Sequence, residues 1–198
     1  VQIVRVFEDG DYVFAHVEYD FAEVAAGFEV FRFEDGFAVE HWDNLQLKHN
    51  TPNESGHTML DGPVEITDLE RTEANRSLVE SFAVEILLGR QVDRLRDFVG
   101  GSRGYVEHNP HRSDGVDVLA AFLVAQADAG EPVLTYARLH RVLAEGNFVL
   151  CASEGRRDGA DVAIYDLYRV EANSIVEHWD SIESIPPRSE WLNENGKF

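Results

Sequence analysis

Apolar and polar residues alternate from the first position. Val1-Gln2-Ile3-Val4-Arg5-Val6-Phe7 has the period of a half-buried strand, and Glu8-Asp9-Gly10-Asp11 follows as a hairpin turn. The same alternation predicts strands at 12–19, 28–33 and 37–47, with the turn Glu34-Asp35-Gly36 before the last. Residues 1–48 therefore read as an antiparallel meander. Residues 49–66 hold Asn, Pro, Ser and Gly without periodicity and read as a linker. The period then changes. Thr67-Asp68-Leu69-Glu70 fits a capping box, Thr67 as N-cap and Glu70 reaching back. Leu78, Phe82 and Ile86 make one helical stripe that runs to residue 88, where Gly89 stops it. A second short helix is predicted at 92–98, broken by Gly100-Gly101-Ser102-Arg103-Gly104. An extended piece at 105–109 ends at Pro110. Asp114 caps a third helix at 116–128, with Val118, Leu119 and Phe122 inward. Four more strands follow at 133–144, 147–154, 160–170 and 174–185.

The second meander repeats the first. Val39-Glu40-His41-Trp42-Asp43 returns as Val176-Glu177-His178-Trp179-Asp180, and Arg5-Val6-Phe7 aligns with Arg141-Val142-Leu143. Arg5 and Arg141 lie 136 positions apart, His41 and His178 137, so the second copy holds one extra residue. That period is a domain, not a solenoid repeat. Residues 67–198 read as a complete unit, helices then meander. Residues 1–60 match only its meander half. The helices of the first copy are expected before residue 1, in a longer two-domain protein or in a segment this sequence lacks.

Charge changes the picture of partners. There are 37 acidic residues against 17 basic ones, a net charge of −20, and only Lys48 and Lys197 are lysines. Such a surface repels nucleic acid and anionic membranes. Two origins fit: an arginine-rich acidic protein of a GC-rich genome, or adaptation to high salt. With 44% hydrophobic residues a packed core is expected. No apolar run approaches the ~20 residues of a membrane span. No signal peptide is expected, so the expected location is cytoplasmic. Cys151 has no partner for a disulfide and reads as a buried small hydrophobe.

Four stretches carry a resemblance. They are Tyr105-Val106-Glu107-His108-Asn109-Pro110-His111 with Asp114-Gly115, Arg141-Val142-Leu143-Ala144-Glu145-Gly146, Asp166-Leu167-Tyr168-Arg169 with the second pentapeptide, and the tail Asn195-Gly196-Lys197-Phe198. Together they resemble the SnoaL-like polyketide cyclases and predicted aldol-condensation enzymes of the nuclear transport factor 2-like superfamily. The resemblance implies an α+β cone, three helices packed on a curved, mostly antiparallel sheet, here preceded by a half copy. It does not imply one reaction, because this fold hosts many.

Strand alternation puts Ile164, Asp166 and Tyr168 on one face of their strand. If that face is the concave one, desolvation raises the proton affinity of Asp166 and suits it to general acid/base work. The resemblance implies the same role. The structural alternative is a solvent-facing carboxylate paired with Arg169 or Arg141. His178 and Asp180 share a face, with Trp179 on the other. They line the pocket, or they form a structural pair at a dimer interface. The loop before the third helix offers His108 as a hydrogen-bond donor to a substrate carbonyl, helped by Tyr105 and Asn109; the alternative is local backbone capping. In the first copy the corresponding candidates are His16, Glu29 and His41. SnoaL-like cyclases place a His about fourteen residues before the Asp, a position held here by Ala152. The first copy has His16 there, with Glu29 aligned to Asp166, so the expected His–acid pair belongs to the first copy.

Three readings stand. One is a cofactor-free cyclase or aldol-type enzyme acting on a small carbonyl substrate, with Asp166 or Glu29 as base and His108 or His178 holding the developing enolate oxygen. The second is a non-catalytic small-molecule-binding protein. The third is a dimerisation module, as a homodimer or an intrachain pseudo-dimer. No HxH, HExxH or CxxC spacing predicts a metal, and no P-loop, GxGxxG or GxSxG predicts nucleotide or serine-hydrolase chemistry. If the acidity is halophilic, the melting temperature rises steeply with potassium chloride toward molar concentrations. A melting temperature that stays flat across that range in a thermal scan removes the high-salt origin.

Overall fold

The computed structural model describes residues 1–101, 104–128, 132–191, 194 and 196–198. Ser102, Arg103 and Asn195, singled out above in a glycine-rich break and in the tail, lie outside the described residues. The first sheet is a meander, β1 (Gln2–Asp9), β2 (Tyr12–Asp20), β3 (Val24–Glu34) and β4 (Phe37–Leu47), paired in that order. Helix α1 (Thr72–Phe82) continues into a π-helical turn at Ala83–Leu88. After a 3-10 run at Val92–Asp97 come the two-residue β5 (Val106–Glu107) and α2 (Val116–Asp128). Then β6 (Leu134–Glu145), β7 (Phe148–Arg157), β8 (Ala160–Glu171) and β9 (Ser174–Ser184) form the second sheet in the order β5-β9-β8-β7-β6. The chain is α+β and sheet-rich. Among the described residues no helix is long and apolar enough to cross a membrane.

Local signals were overridden in three places. The capping box does not form: Asp68, at φ 57, leads into a 3-10 turn at Leu69–Arg71, and α1 starts at Thr72 without a side-chain cap. The Thr67 amide is taken instead by Asn147 Oδ1 at 2.9 Å, which ties the helix start to a hairpin of the second sheet. The second short helix is a 3-10 run, and it buries only Leu95. Residues 49–66 are a strap that packs on the sheets. Met59 and Leu60 are buried, and the Arg5 guanidinium donates to the carbonyls of Leu60, Asp61 and Pro63. Asn53 Nδ2 donates to the Glu107 carbonyl at 2.7 Å.

The second sheet buries both faces. Its inner face meets α1, the π turn and α2 through Val149, Cys151, Tyr168 and Val170. Its other face meets the first sheet, where Phe14, Phe28 and Trp42 pack against Leu150, Leu167 and Trp179. This contact is reciprocal. The Leu45 amide donates to Glu183 Oε2 at 2.9 Å, and the Ile182 amide donates to Gln46 Oε1 at 3.0 Å. Asn44 Nδ2 donates to the Ser181 carbonyl and Ser181 Oγ to the Asn44 carbonyl. Arg141 lies over the Trp42 ring at 4.0 Å, and Arg5 over the Trp179 ring at 4.3 Å. Residues 137 positions apart thus exchange contacts, Asn44 with Ser181 in both directions, Leu45 with Glu183 and Ile182 with Gln46.

A shared layer makes the sheets unfold together. Phe14→Ala, in the first sheet, opens a cavity against the second and is expected to lower unfolding free energy by about 3–5 kcal/mol. A single urea transition shifted as a whole is the expected result. A transition that splits in two, with one part unmoved, shows the sheets to be independent.

Candidate functional site

Asp166 points to the inner face of β8, between Ile164 and Tyr168, and is fully buried. Cross-strand register sets Asp166 opposite Asp180 and Tyr168 opposite His178. The Asp166 carboxylate accepts from His178 Nε2 at 3.0 Å and from the Tyr136 hydroxyl of β6 at 3.1 and 3.2 Å. Tyr168 lies against the His178 ring with centroids 4.8 Å apart and planes 24° apart.

Behind His178 stands Glu107, brought in by the parallel pairing of β5 with β9. His178 Nδ1 is 2.9 Å from Glu107 Oε1. Glu107 also accepts from Arg112 Nε at 3.0 Å, the Asn109 amide at 3.0 Å and the Tyr105 hydroxyl at 3.3 Å. Asp180 accepts from Asn109 Nδ2 at 2.7 and 2.9 Å and from Arg112 Nη2 at 2.9 Å. Six sequence candidates, Tyr105, Asn109, Asp166, Tyr168, His178 and Asp180, thus meet in one buried network. Glu107, Arg112 and Tyr136 complete it and were not singled out from sequence.

The electrostatics follow from burial and from an uneven count of charges. Burial pushes the proton affinity of Asp166 up, against the opposing pull of its hydrogen bond to His178. Burial works against a charged His178, but Glu107, then the hydrogen bonds to Asp166 and Glu107, raise it to about 10. Glu107 is held well below the usual carboxylate range: burial opposes this, and Arg112 and His178 outweigh it. Tyr136 and Tyr168 are pushed up, first by burial and then by the Asp166 charge. Three carboxylates, Asp166, Glu107 and Asp180, thus face two cations, Arg112 and His178. Asp166 is the carboxylate whose proton affinity is raised.

His108 is not part of this network. Alternation along residues 105–109 sends Tyr105, Glu107 and Asn109 to the inner face, and His108 to the other side. There its ring stacks on Trp179 at 4.4 Å and 13°, with Nε2 2.8 Å from Glu177 Oε1. The expected pairing of His16 with Glu29 also fails. Antiparallel register puts Ala15 opposite Glu29 and Phe28 opposite His16, so the two side chains leave opposite faces. His16 lies between the sheets, 2.6 Å from Arg5 Nη1, and burial followed by the Arg5 charge pushes its pKa well down. Glu29 instead meets His41 Nε2 at 2.5 Å and the Tyr19 hydroxyl at 2.6 Å. That Glu29–His41 contact occupies the positions of Asp166–His178 in the second sheet.

Among the described residues, two groups of side chains have metal-ligand chemistry: Asp166, His178 and Asp180 in this network, and His57, Asp61 and His108 outside it. A cleft of about 30 Å³ lined by Ile86, Phe122, Leu134 and Tyr136 lies beside the network.

No family model and no curated protein matches the chain. Among solved structures it is similar to a candidate ketosteroid isomerase from Kribbella flavida, 18% identical, covering 63% of this chain and 91% of that one with a TM-score of 0.49. An NTF2-like protein of unknown function from Mesorhizobium loti is 18% identical over 62% of this chain and 98% of that one, TM-score 0.49. A candidate SnoaL-like polyketide cyclase from Jannaschia sp. is 16% identical over 62% and 92%, TM-score 0.46. The likeness is one of fold: the chain is similar to NTF2-like proteins.

Proposed function

We propose that residues 67–198 form a cofactor-free acid/base enzyme that moves a proton next to the carbonyl of a small molecule. Asp166 is the base, and the Tyr136 hydroxyl and His178 are the donors beside it. The observation that carries this reading is a fully buried Asp166 with raised proton affinity, hydrogen-bonded to both. A general base needs a proton affinity near the operating pH, and burial with an excess carboxylate count moves an aspartate in that direction. Glu107 fixes the His178 ring from behind, and Arg112 holds Glu107 and Asp180 in place. Proton removal from a carbon beside a carbonyl leaves negative charge on the oxygen. Once Asp166 has taken the proton it is neutral and holds its donors less strongly, and the Tyr136 hydroxyl beside it can turn to meet that charge. Residues 1–60 are read as the sheet half of a first copy and 67–198 as the complete unit, a division the reciprocal contacts support.

A second reading is favoured by volume. The cleft beside Tyr136 holds about 30 Å³, the share of one water molecule. On that reading the network is a structural ion cluster in a non-catalytic binding or dimerisation module.

One experiment separates the two. Deuterium uptake at carbon beside the carbonyl of cyclohexanone, acetophenone and 1-indanone is followed by NMR in heavy water. Wild type is expected to accelerate uptake by at least one of these ketones. Asp166→Asn, which keeps the shape and removes the base, is expected to lose about two orders of magnitude or more while its circular dichroism is unchanged. Equal rates for wild type, variant and buffer leave the structural reading.

The pH profile carries the sign. Only the ionised carboxylate accepts a proton, so the wild-type rate rises with pH through the Asp166 titration. Its midpoint is expected above the ordinary aspartate value of 3.8, because burial raises it. A midpoint at or below 3.8, or the same inflection in Asp166→Asn, removes Asp166 as the base.

A further inference from the structure

The strap over β5 and β9 brings together side chains that the proton-transfer network does not use. His57 and Asp61, from the strap, meet His108, from the end of β5. One nitrogen or oxygen of each lies within 4.8 Å of the others. Asp61 is the hub. Its Oδ1 is 2.8 Å from His108 Nδ1, and its Oδ2 is 3.8 Å from His57 Nδ1. The Thr58 carbonyl oxygen is also 2.8 Å from His108 Nδ1.

The far side of each imidazole is held by a different carboxylate. His108 Nε2 is 2.8 Å from Glu177 Oε1, and His57 Nε2 is 3.1 Å from Asp114 Oδ2. An ion pair with Asp61 would account for one histidine. It does not account for two, from separate segments, each backed by its own carboxylate with its Nδ1 toward one common carboxylate. Metal-binding histidines are oriented this way, with the outer N–H on a carboxylate. Here the inner His108 Nδ1–H donates to the Thr58 carbonyl and to Asp61, and a bound metal would take the place of that proton.

The position is built. The His108 ring is buried and flat against Trp179. The strap is pinned where Trp179 Nε1 and Arg5 Nη2 donate to the Asp61 carbonyl at 3.0 and 2.8 Å. Gly62 follows at φ 93, and a Cβ there would lie 2.7 Å from Glu177 Oε1 and 2.8 Å from the Trp179 ring. Only glycine lets the strap come this close. A cavity of about 420 Å³, lined in part by His57, Asp61, Arg169 and Glu177, opens beside these groups.

We propose that His57 Nδ1, His108 Nδ1 and the Asp61 carboxylate bind a zinc ion whose fourth position faces this cavity. Two imidazoles and one carboxylate suit a divalent transition metal, and three protein ligands with one open position is a zinc pattern. Ligand atoms around a tetrahedral zinc stand about 3.4 Å apart. His108 Nδ1 is a hydrogen-bond distance of 2.8 Å from Asp61 Oδ1 and His57 Nδ1 is 3.8 Å from the other oxygen, Oδ2, so a zinc held by one Asp61 oxygen needs that carboxylate to turn and draw back from His108. His57 and Asp61 are partly exposed and can close the difference while buried His108 stays in place. Asp61, Glu177 and Asp114 outnumber the nearby cations Arg5 and Arg169, so the site favours a dication.

The test uses the full chain stripped with EDTA. Calorimetric titration with zinc chloride is expected to give one saturable equivalent. Cobalt(II) is expected to give the strong visible absorption of a four-coordinate ion. His57→Ala, at a partly exposed position, is expected to weaken binding at least tenfold and to remove the cobalt band. Asp114→Asn, which removes the charge behind the outer nitrogen and can keep the oxygen that accepts the Glu107 amide, is expected to weaken it roughly ten- to a hundredfold. Circular dichroism checks that both variants fold. Failure of wild type to saturate overturns the proposal. So does binding of several weak equivalents, unchanged in His57→Ala, which is the acidic surface collecting ions.

Discussion

The contact between the two sheets is the interaction on which the rest depends. It uses one face of every long strand in the second sheet and leaves the other face to the helices. On β8 this gives Tyr165 and Leu167 to the sheet contact, and Ile164, Asp166 and Tyr168 to the inner face. On β9, Trp179 goes one way, His178 and Asp180 the other. A one-residue slip in either strand would exchange these sets and put the carboxylates against Phe28 and Trp42. The reciprocal bonds at Asn44, Leu45, Ser181 and Ile182 hold the register by side-chain-to-backbone contacts that a slip would break.

Because both faces are covered, the polar groups on the inner face are dry. Burying charged groups costs more than an ion pair usually returns, so such a cluster is a poor way to stabilise a core. What it supplies is an aspartate of raised proton affinity in a fixed place. Two features limit the cost. Arg112 spans Glu107 and Asp180 at once, and Asn109 satisfies both by side chain and backbone. Tyr136 then gives Asp166 a neutral donor beside the one from His178. The first sheet repeats the acid–histidine contact with Glu29 and His41, but there His41 is about half exposed, so the pair stands at the edge of solvent.

Much of this was legible in the sequence. The pentapeptide repeat and the period-2 runs announced two meanders, and alternation put Asp166, Tyr168, His178 and Asp180 on shared faces. What was missed follows from the same rule applied too loosely. Tyr105, His108 and Asn109 cannot all face one way in an extended segment, and choosing His108 hid Glu107. The His16–Glu29 pair rested on alignment spacing, and antiparallel register decided against it. Other errors had no local remedy. Thr67 and Glu70 carry a capping signal, yet the Thr67 amide is satisfied from 80 positions away by Asn147. Tyr136 and Arg112 reach the network only through the curl of β6 and the turn before α2, which no periodicity encodes. The strap lacks periodicity because its order comes from Arg5 and Trp179, not from itself.

The two histidine clusters have one origin. Glu107-His108 and Glu177-His178 are the same dipeptide on neighbouring parallel strands, with Glu107 paired to His178. Parallel register with side chains alternating forces Glu107 and His178 to one face, Glu177 and His108 to the other. Each glutamate therefore meets the histidine of the opposite strand, at 2.9 Å on the inner face and 2.8 Å on the outer. One face becomes the dry network of Asp166, and the other the strap site of Asp61. The His108 amide donates to the His178 carbonyl at 3.0 Å, so the clusters share a backbone hinge point. Any shift of β5 along β9 moves both histidines off their carboxylates together. A two-residue strand, too short to stand on its own, is therefore the element that aligns both sites, and its position is set from the sides by Asn53 and Arg112.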